Sequence, residues 1–185
     1  MNKINLRWLI SVVLIGVAAS TVFTLASTEV LGRAGYIISF SVLAFFIVVG
    51  IAFDIVGVAV MAASEAPFHS MAARRQKGAV ESIRLVRNAD KVSSFCNDVV
   101  GDVTGIVSGT TAGLIAARLV EGLSNENIFI PLAISGAVTG LTIGGKAIGK
   151  NAAINNSTAI IFRVGILLNI LRIRPKNKSN SSKSN

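Results

Sequence analysis

Residues that build most catalytic and metal sites are scarce in this chain. Its 185 residues contain a single cysteine, Cys96, and a single histidine, His69. A lone cysteine excludes an internal disulfide and a multi-cysteine metal site, and a lone histidine excludes a histidine cluster. The sequence also lacks a nucleophile–base pair, a phosphate-binding loop and zinc-ligand spacing, which indicates that the protein is not an enzyme.

Aromatic and acidic residues are also few. Aromatic residues make up 6% of the chain, so no platform for stacking nucleic-acid bases is visible. Lys and Arg outnumber Asp and Glu by 18 to 9, which gives a net charge of +9. These basic residues lie between and after apolar segments, where membrane topology requires them, so we exclude nucleic acid as a partner.

Apolar residues, in contrast, are abundant and come in long runs. They form 52% of the chain, and the mean hydropathy of +0.67 is too high for a soluble domain of this size. Four runs are long enough to cross about 30 Å of hydrocarbon, at residues 8–27, 36–63, 95–119 and 128–148. The sequence predicts an all-α integral membrane helical bundle of about four transmembrane helices, plus interfacial and juxtamembrane helices, surrounded by membrane lipid.

The first run has two interpretations. Small residues at Ala18, Ala19 and Ala26 would allow cleavage of a signal peptide. The run is, however, longer than the apolar part of a usual signal peptide, which has about 7–15 residues. We therefore favour an uncleaved anchor, so that residues 1–35 form a signal-anchor transmembrane helix and a loop.

The remaining chain divides into a core and its flanks. Residues 36–150 form a three-span core whose cytoplasmic insert, residues 64–94, mixes basic and apolar residues. This insert predicts amphipathic surface helices with a break at Gly78, and a solvated loop is the alternative. Residues 151–175 predict a juxtamembrane helix, because their uncharged stretch is too short to span. Residues 176–185 contain only Ser, Asn and Lys and predict a disordered basic tail.

The distribution of charge predicts the orientation in the membrane. With the N-terminus inside, nearly every Lys and Arg is cytoplasmic, the exceptions being Arg33 and Arg118. The acidic turn that contains Glu121 and Glu126 is then outside. The sequence thus predicts a multi-pass protein of the cell membrane with its N- and C-termini in the cytoplasm.

Glycine recurs every fourth residue in the last two predicted spans. The positions are Gly101, Gly105, Gly109 and Gly113 in the third span, and Gly136, Gly140, Gly144, Gly145 and Gly149 in the fourth. Residues four apart share a helix face, and a face of small residues lets two helix backbones approach closely in lipid. We interpret this glycine zipper as a packing surface between helices rather than as the lining of a pore.

Charged side chains also fall within the predicted spans. Counting about 1.5 Å per residue from the cytoplasmic ends places a cluster in the inner half of the bilayer: Asp54, Asn97, Asp98, Asp102 and Lys146. Carboxylate and amide oxygens are ligands that Mg²⁺ and Na⁺ prefer, so the pattern predicts a cation site. The alternative is structural, with Lys146 neutralising Asp98 or Asp102 in a buried ion pair that fixes helix register.

Three motifs follow one another within residues 36–173. The first is the pair Ser64-Glu65, which follows a span ending in small residues and precedes a basic helix. The second is Asn97 at the start of the next span. The third reads Gly145-Lys146-Ala147-Ile148-Gly149-Lys150. In their order and spacing these motifs resemble the transmembrane domain of the CNNM/CorC magnesium transporters, in which the third motif reads Gly-Glu-x-x-Pro-Lys.

The resemblance implies a homodimeric, all-helical membrane domain that transports Mg²⁺, with export coupled to Na⁺. The positions that match the family pattern are Ser64, Glu65, Asn97, Gly145 and Lys150. The chain departs from the family where Lys146 replaces a glutamate and Gly149 a proline, and an ammonium group there would repel or replace a cation. The cystathionine-synthase-like (CBS) regulatory domains that usually follow in the family are not in this sequence.

Two functions follow from these patterns. In the first, the protein is a divalent-cation transporter whose metal ligands are Asp54, Glu65, Asn97, Asp98 and Asp102. In the second, it is a transport-inactive, degenerate relative in which Lys146 is a built-in counter-ion. Such a protein would have a structural role or bind an unidentified membrane-protein partner. The position of Lys146 relative to Asp98 and Asp102 separates the two hypotheses.

Overall fold

The computed structural model describes residues 6–33, 35–122 and 129–171, and within these ranges every regular element is helical. In chain order the elements are α1 (Leu6–Arg33), α2 (Tyr36–Ala62), α3 (Ala66–Ala73), α4 (Ala79–Arg87), α5 (Ala89–Ser94), a π-helical turn (Phe95–Val100), α6 (Gly101–Gly122), α7 (Phe129–Asn155) and α8 (Ser157–Leu171). The predicted all-α class is confirmed for this part of the chain. The tail predicted to be disordered, residues 176–185, lies outside the described residues, and so does most of the acidic turn after α6.

Three helical stretches of the described chain are long and apolar enough to cross a membrane, namely Tyr36–Ala62, Ala89–Gly122 and Phe129–Asn155. The second of these joins α5, the π-helical turn and α6 into one continuous helix. Val13–Ala26 of α1 and the whole of α8 are shorter apolar helices. The chain is therefore compatible with a membrane protein of three spans, and the structure does not confirm the predicted fourth.

The central helix is α2, which packs against α6, α7, α5 and α8. Helix α6 runs antiparallel to it: the Tyr36 hydroxyl donates to the Arg118 carbonyl at 3.4 Å, and Leu43 packs in one cluster with Ile115. Nearer the other end of α2, Gly50 lies beside the hydroxyl of Thr104. This pairing brings the end of α2 against the π-helical turn.

Helix α7 lies along another side of α2 and runs in the same direction. Gly145 faces Ile51, and Gly149 faces Ile55 one turn later. A Cβ atom on Gly149 would lie 2.7 Å from Cγ1 of Ile55, so a side chain there would require the Ile55 side chain or the helices to shift. The two glycines set the depth at which α7 meets α2.

The glycine stripes do not pack as the sequence predicted. A Cβ added at these positions would meet no atom within 4 Å: Gly105, Gly109, Gly113, Gly136, Gly140 and Gly144. The expectation that the two stripes bring α6 and α7 together is therefore wrong within the described chain. The reason is that α6 and α7 meet through larger side chains, Ile115 with Ile134 and Val138, which leaves these glycines on open faces.

Four short helices, α3, α4, α5 and α8, cover the end of the bundle where α2 ends. The core that they cover is fully buried and is formed by α2, α3, α7 and α8, with Ala59, Val60, Phe68, Ala153 and Ile161. Pro67 lies in the first turn of α3, where its missing N–H costs little. Gly78 adopts a left-handed conformation, with φ of +91°, between α3 and α4, at the predicted break. We refer to these four helices as the belt.

Helices α4 and α8 cross at a contact that depends on Gly165. A Cβ atom there would lie 2.5 Å from the carbonyl oxygen of Gly78 and would also collide with Oγ of Ser82. That serine hydroxyl is already placed 2.9 Å from the Gly78 carbonyl and 3.2 Å from the Ile161 carbonyl. The crossing thus has no room for a methyl group.

We therefore expect Gly165→Ala to lower the free energy of unfolding by about 1–3 kcal/mol, the usual cost of overpacking a close contact. Thermal unfolding in detergent measures it. Gly16→Ala is the matched control, because an added Cβ there meets no atom within 4 Å. Equal losses in the two variants would contradict this account of the crossing.

Candidate functional site

The candidate site is built around Asp54, eight residues before the end of α2 and 5% exposed. Two lysines of α7, one turn apart, approach its carboxylate from the same side. Lys146 Nζ lies 3.7 Å from Oδ1, and Lys150 Nζ lies 3.9 Å from Oδ2. The structure thus places two ammonium groups beside one buried carboxylate.

Neither lysine is close enough to donate a hydrogen bond, because such bonds span about 2.7–3.2 Å. Oδ2 of Asp54 is buried and has no hydrogen-bond partner among the described residues. The two lysines therefore form ion pairs with Asp54 without hydrogen bonds. At about 4 Å and an effective dielectric constant of about 20, each contact has a Coulomb energy of about 4 kcal/mol before desolvation is counted.

A second unpaired oxygen belongs to Asn97 in the π-helical turn. Its Nδ2 donates to Oγ of Ser93 at 3.2 Å, while its Oδ1 is buried without a described hydrogen-bond partner. That oxygen lies directly against Gly57, where a Cβ atom would collide with it. Gly57 and Asp54 are three residues apart on one face of α2. The two unpaired oxygens therefore face the same side of α2.

The π-helical turn was not anticipated from the sequence. π-helical turns are rare in proteins overall, and those that occur are often found at functional sites. The extra residue in the turn changes the direction of the side chains that follow. Phe95–Val100 contains both Asn97 and Asp98, so the turn contributes to how these two side chains are directed. The residues themselves carry no pattern that distinguishes a π-helical turn from an ordinary α-helical one.

Asp98 and Asp102 form no ion pair with Lys146 in the described chain, although a Cβ atom on Gly101, which lies between them in the sequence, would be 3.9 Å from Lys146 Nζ. Both are exposed, and both line a groove of about 420 Å³ between α6 and α1, with Gly16, Ser20 and Thr21 on the α1 side. The alternative interpretation, in which Lys146 neutralises Asp98 or Asp102, is wrong about the partner, because Lys146 pairs with Asp54 instead. The physical reason is that α7 packs against α2, whereas these aspartates face α1.

Ser64 and Glu65 immediately precede α3 of the belt. Ser64 is exposed in the connection between α2 and α3. The Glu65 carboxylate accepts a hydrogen bond from Arg87 Nε at 3.0 Å and contacts His69 Nε2 at 3.1 Å. These contacts attach the start of α3 to the end of α4. Glu65 therefore has cationic partners of its own within the belt.

The contacts of Glu65 predict a pH dependence. Hydrogen bonds from Arg87 and then His69 hold the pKa of Glu65 below its ordinary value of 4.5. Because the pKa is depressed in the folded state, this stabilisation is present above pH about 4.5 and is lost as the pH falls through the folded value. We expect Glu65→Gln to flatten the loss of thermal stability below that pH. Arg87→Gln should flatten it too, and a parent-like slope in both variants would contradict the assignment.

The five predicted metal ligands do not form one cluster. Within residues 6–33, 35–122 and 129–171, no three His, Cys, Asp or Glu side chains converge on a common point. Asp54 and the Asn97 side chain lie at one side of α2. Asp98 and Asp102 line the groove next to α1, and Glu65 lies just before α3 of the belt. Gly145, Lys146 and Lys150 all lie on the α7 surface that contacts α2. Of the five, Asp54 and Asn97 are the two that lie at the same face of α2.

The fold and this site describe a helical protein compatible with a membrane location, with a charged centre between three long helices. No family model, curated protein or solved structure matches the chain. The likeness to the CNNM/CorC transporters thus depends on the three motifs and their order.

Proposed function

We propose that the chain is a divalent-cation transport protein of the CNNM/CorC type, with Mg²⁺ as its substrate and Asp54 as the central ligand. The observation that carries this proposal is the pair of buried oxygens, Asp54 Oδ2 and Asn97 Oδ1, that have no hydrogen bond among the described residues. Buried acceptors without partners are rare in proteins because each costs about 1–3 kcal/mol. A cation bound between α2 and the π-helical turn would satisfy both oxygens.

The two lysines support a divalent rather than a monovalent substrate. Together their ammonium groups place two positive charges on Asp54, which is the charge that one Mg²⁺ ion would bring. Lys150 is about half exposed and Lys146 is 30% exposed, so both can withdraw toward water on their flexible stems. Mg²⁺ keeps several of its waters when it binds, so one carboxylate and one amide oxygen suffice as direct ligands.

The same proposal includes the membrane placement and the assembly. It places the chain in the cell membrane with both termini in the cytoplasm and with α1 as a fourth span. It also makes the protein a homodimer whose subunits meet along the open glycine faces. Gly105, Gly109 and Gly113 support this contact, because no side chain of the described chain covers them.

The test is Mg²⁺ flux through liposomes that contain the purified protein, measured against empty liposomes with a magnesium-sensitive dye. We expect flux well above the empty liposomes when an inward or outward Mg²⁺ gradient is imposed. Flux no greater than in empty liposomes, at any gradient of Mg²⁺ or Na⁺, would overturn the proposal.

A second candidate function is favoured by the position of Lys146 and Lys150. Both ammonium groups lie within 4 Å of the Asp54 carboxylate. In a transport-inactive relative they would serve as permanent counter-ions. The protein would then be a structural membrane protein or bind another membrane protein. A silent liposome assay with a folded protein favours this candidate.

A further inference from the structure

The charge balance around Asp54 bears on which ion the transport cycle requires. A transporter that releases its substrate must return with an empty site, and a bare carboxylate between membrane helices is costly to carry. In an exchanger that is coupled to sodium, Na⁺ fills the site on this return. In this chain the empty site already contains two cations, because Lys146 and Lys150 lie within 4 Å of Asp54.

We infer that Lys146 and Lys150 replace the coupling ion on the return step, so that Mg²⁺ transport by this chain does not require Na⁺. This inference rests on the proposed function. The lysines approach separate oxygens, Lys146 next to Oδ1 and Lys150 next to Oδ2. A sodium ion that bound to either oxygen would meet an ammonium group at the distance of a direct ion pair, and the two like charges would repel. Once the lysines have withdrawn toward water this repulsion is removed, and the carboxylate then attracts a divalent ion twice as strongly as it attracts Na⁺.

The other acidic side chains of the predicted site do not pair with these two lysines. Asp98 and Asp102 face the α1 groove, and no ion pair joins either of them to Lys146 or Lys150 in the described chain. Glu65 is occupied by Arg87 and His69 in the belt. The resident charge at Asp54 is therefore one carboxylate and two ammonium groups.

The test compares Mg²⁺ flux in proteoliposomes with an opposing Na⁺ gradient, and with choline in its place, for the parent and the double variant Lys146→Gln/Lys150→Gln. The parent should transport equally in both conditions. The double variant should transport slowly in choline and about fivefold faster or more with the Na⁺ gradient, a typical size for coupling between two ligands. Lys77→Gln, a change in the exposed turn before α4, is the control and should behave as the parent does. Circular dichroism and gel filtration establish that each variant is folded, and Lys150→Gln alone is used if the double variant is not.

The outcomes separate this inference from the proposed function. Flux by the parent that rises severalfold with the Na⁺ gradient overturns the inference and leaves Mg²⁺ transport standing. Equal flux by the lysine variant in both conditions also overturns it, because sodium then gains nothing from the vacated site. Parent protein that is folded and shows no flux under any gradient overturns the proposed function, and the inference falls with it.

Discussion

Asp54→Asn is expected to reduce Mg²⁺ flux by about a hundredfold or more, while Asp102→Asn should change it by less than about threefold. Asparagine keeps the size of the side chain and removes the charge that, under the proposed function, would hold a divalent ion. Asp54 is buried on the face of α2 that also carries Gly57, where the unpaired oxygen of Asn97 lies, whereas Asp102 is exposed in the groove next to α1. Initial rates of Mg²⁺ entry into proteoliposomes, normalised to the amount of inserted protein, measure both effects.

The two variants also separate the site inferred from the structure, at Asp54, from the broader site predicted from the sequence. The sequence treats Asp54, Asp98 and Asp102 alike, because all three fall at a similar predicted depth. A large loss in Asp102→Asn with a small loss in Asp54→Asn would place the ion path at the α1 groove and contradict the site described above. A loss of folding in Asp54→Asn is recognised by gel filtration, and Asn97→Ala then serves as the second variant.

Lys146→Glu has the second large expected effect, a gain of about tenfold or more in apparent affinity for Mg²⁺. The substitution replaces a positive charge 3.7 Å from Asp54 with a negative one and supplies the glutamate of the CNNM/CorC motif. With Lys150 still in place, the site changes from one net positive charge to one net negative charge. Even at an effective dielectric constant of about 20, each unit charge at about 4 Å contributes about 4 kcal/mol, so tenfold is a modest expectation.

Magnesium-dependent protection against thermal unfolding measures this affinity without requiring transport. Lys146→Gln is the matched control, because it removes the ammonium group and adds no carboxylate, and its gain should be smaller. A variant that folds and shows parent-like affinity would indicate that Asp54 does not bind the ion. A variant that fails to fold would identify Lys146 as a structural counter-ion and favour the transport-inactive candidate.

Most of the helical framework could be predicted from apolar runs and helix-breaking residues. The predicted span at 36–63 matches α2 to within one residue, the span at 95–119 lies within the helical stretch Ala89–Gly122, and α7 begins at Phe129 beside the predicted start. Pro67 and Gly78 marked the start of α3 and the start of α4, since each restricts the backbone in a known way. Helix α7 continues to Asn155, well past the predicted end of its span, because polar residues end a hydrophobic run without ending a helix.

The candidate site could be predicted only in part, because periodicity gives the face of a helix and not its neighbour. The sequence placed Asp54, Asn97 and Lys146 at a common depth. Its alternative interpretation, however, paired the lysine with Asp98 or Asp102 of the third span, whereas the partner is Asp54 of α2. It identified Gly145 and Gly149 only as members of a stripe whose other glycines are open. It gave no signal for the π-helical turn, and the direction of Asn97 depends on that turn.

The fit of Ile51 and Ile55 against Gly145 and Gly149 restricts how the bundle can move. Sliding α7 by one turn, about 5.4 Å, toward the belt would press Leu141 against Ile51, where the small residue is now. A slide in this direction is therefore disfavoured, whereas a slide the other way would bring Gly149 opposite Ile51. Under the proposed function, an ion would reach Asp54 through a rotation of the α5–α6 helix away from α2 and α7, or through the lysine side chains swinging out.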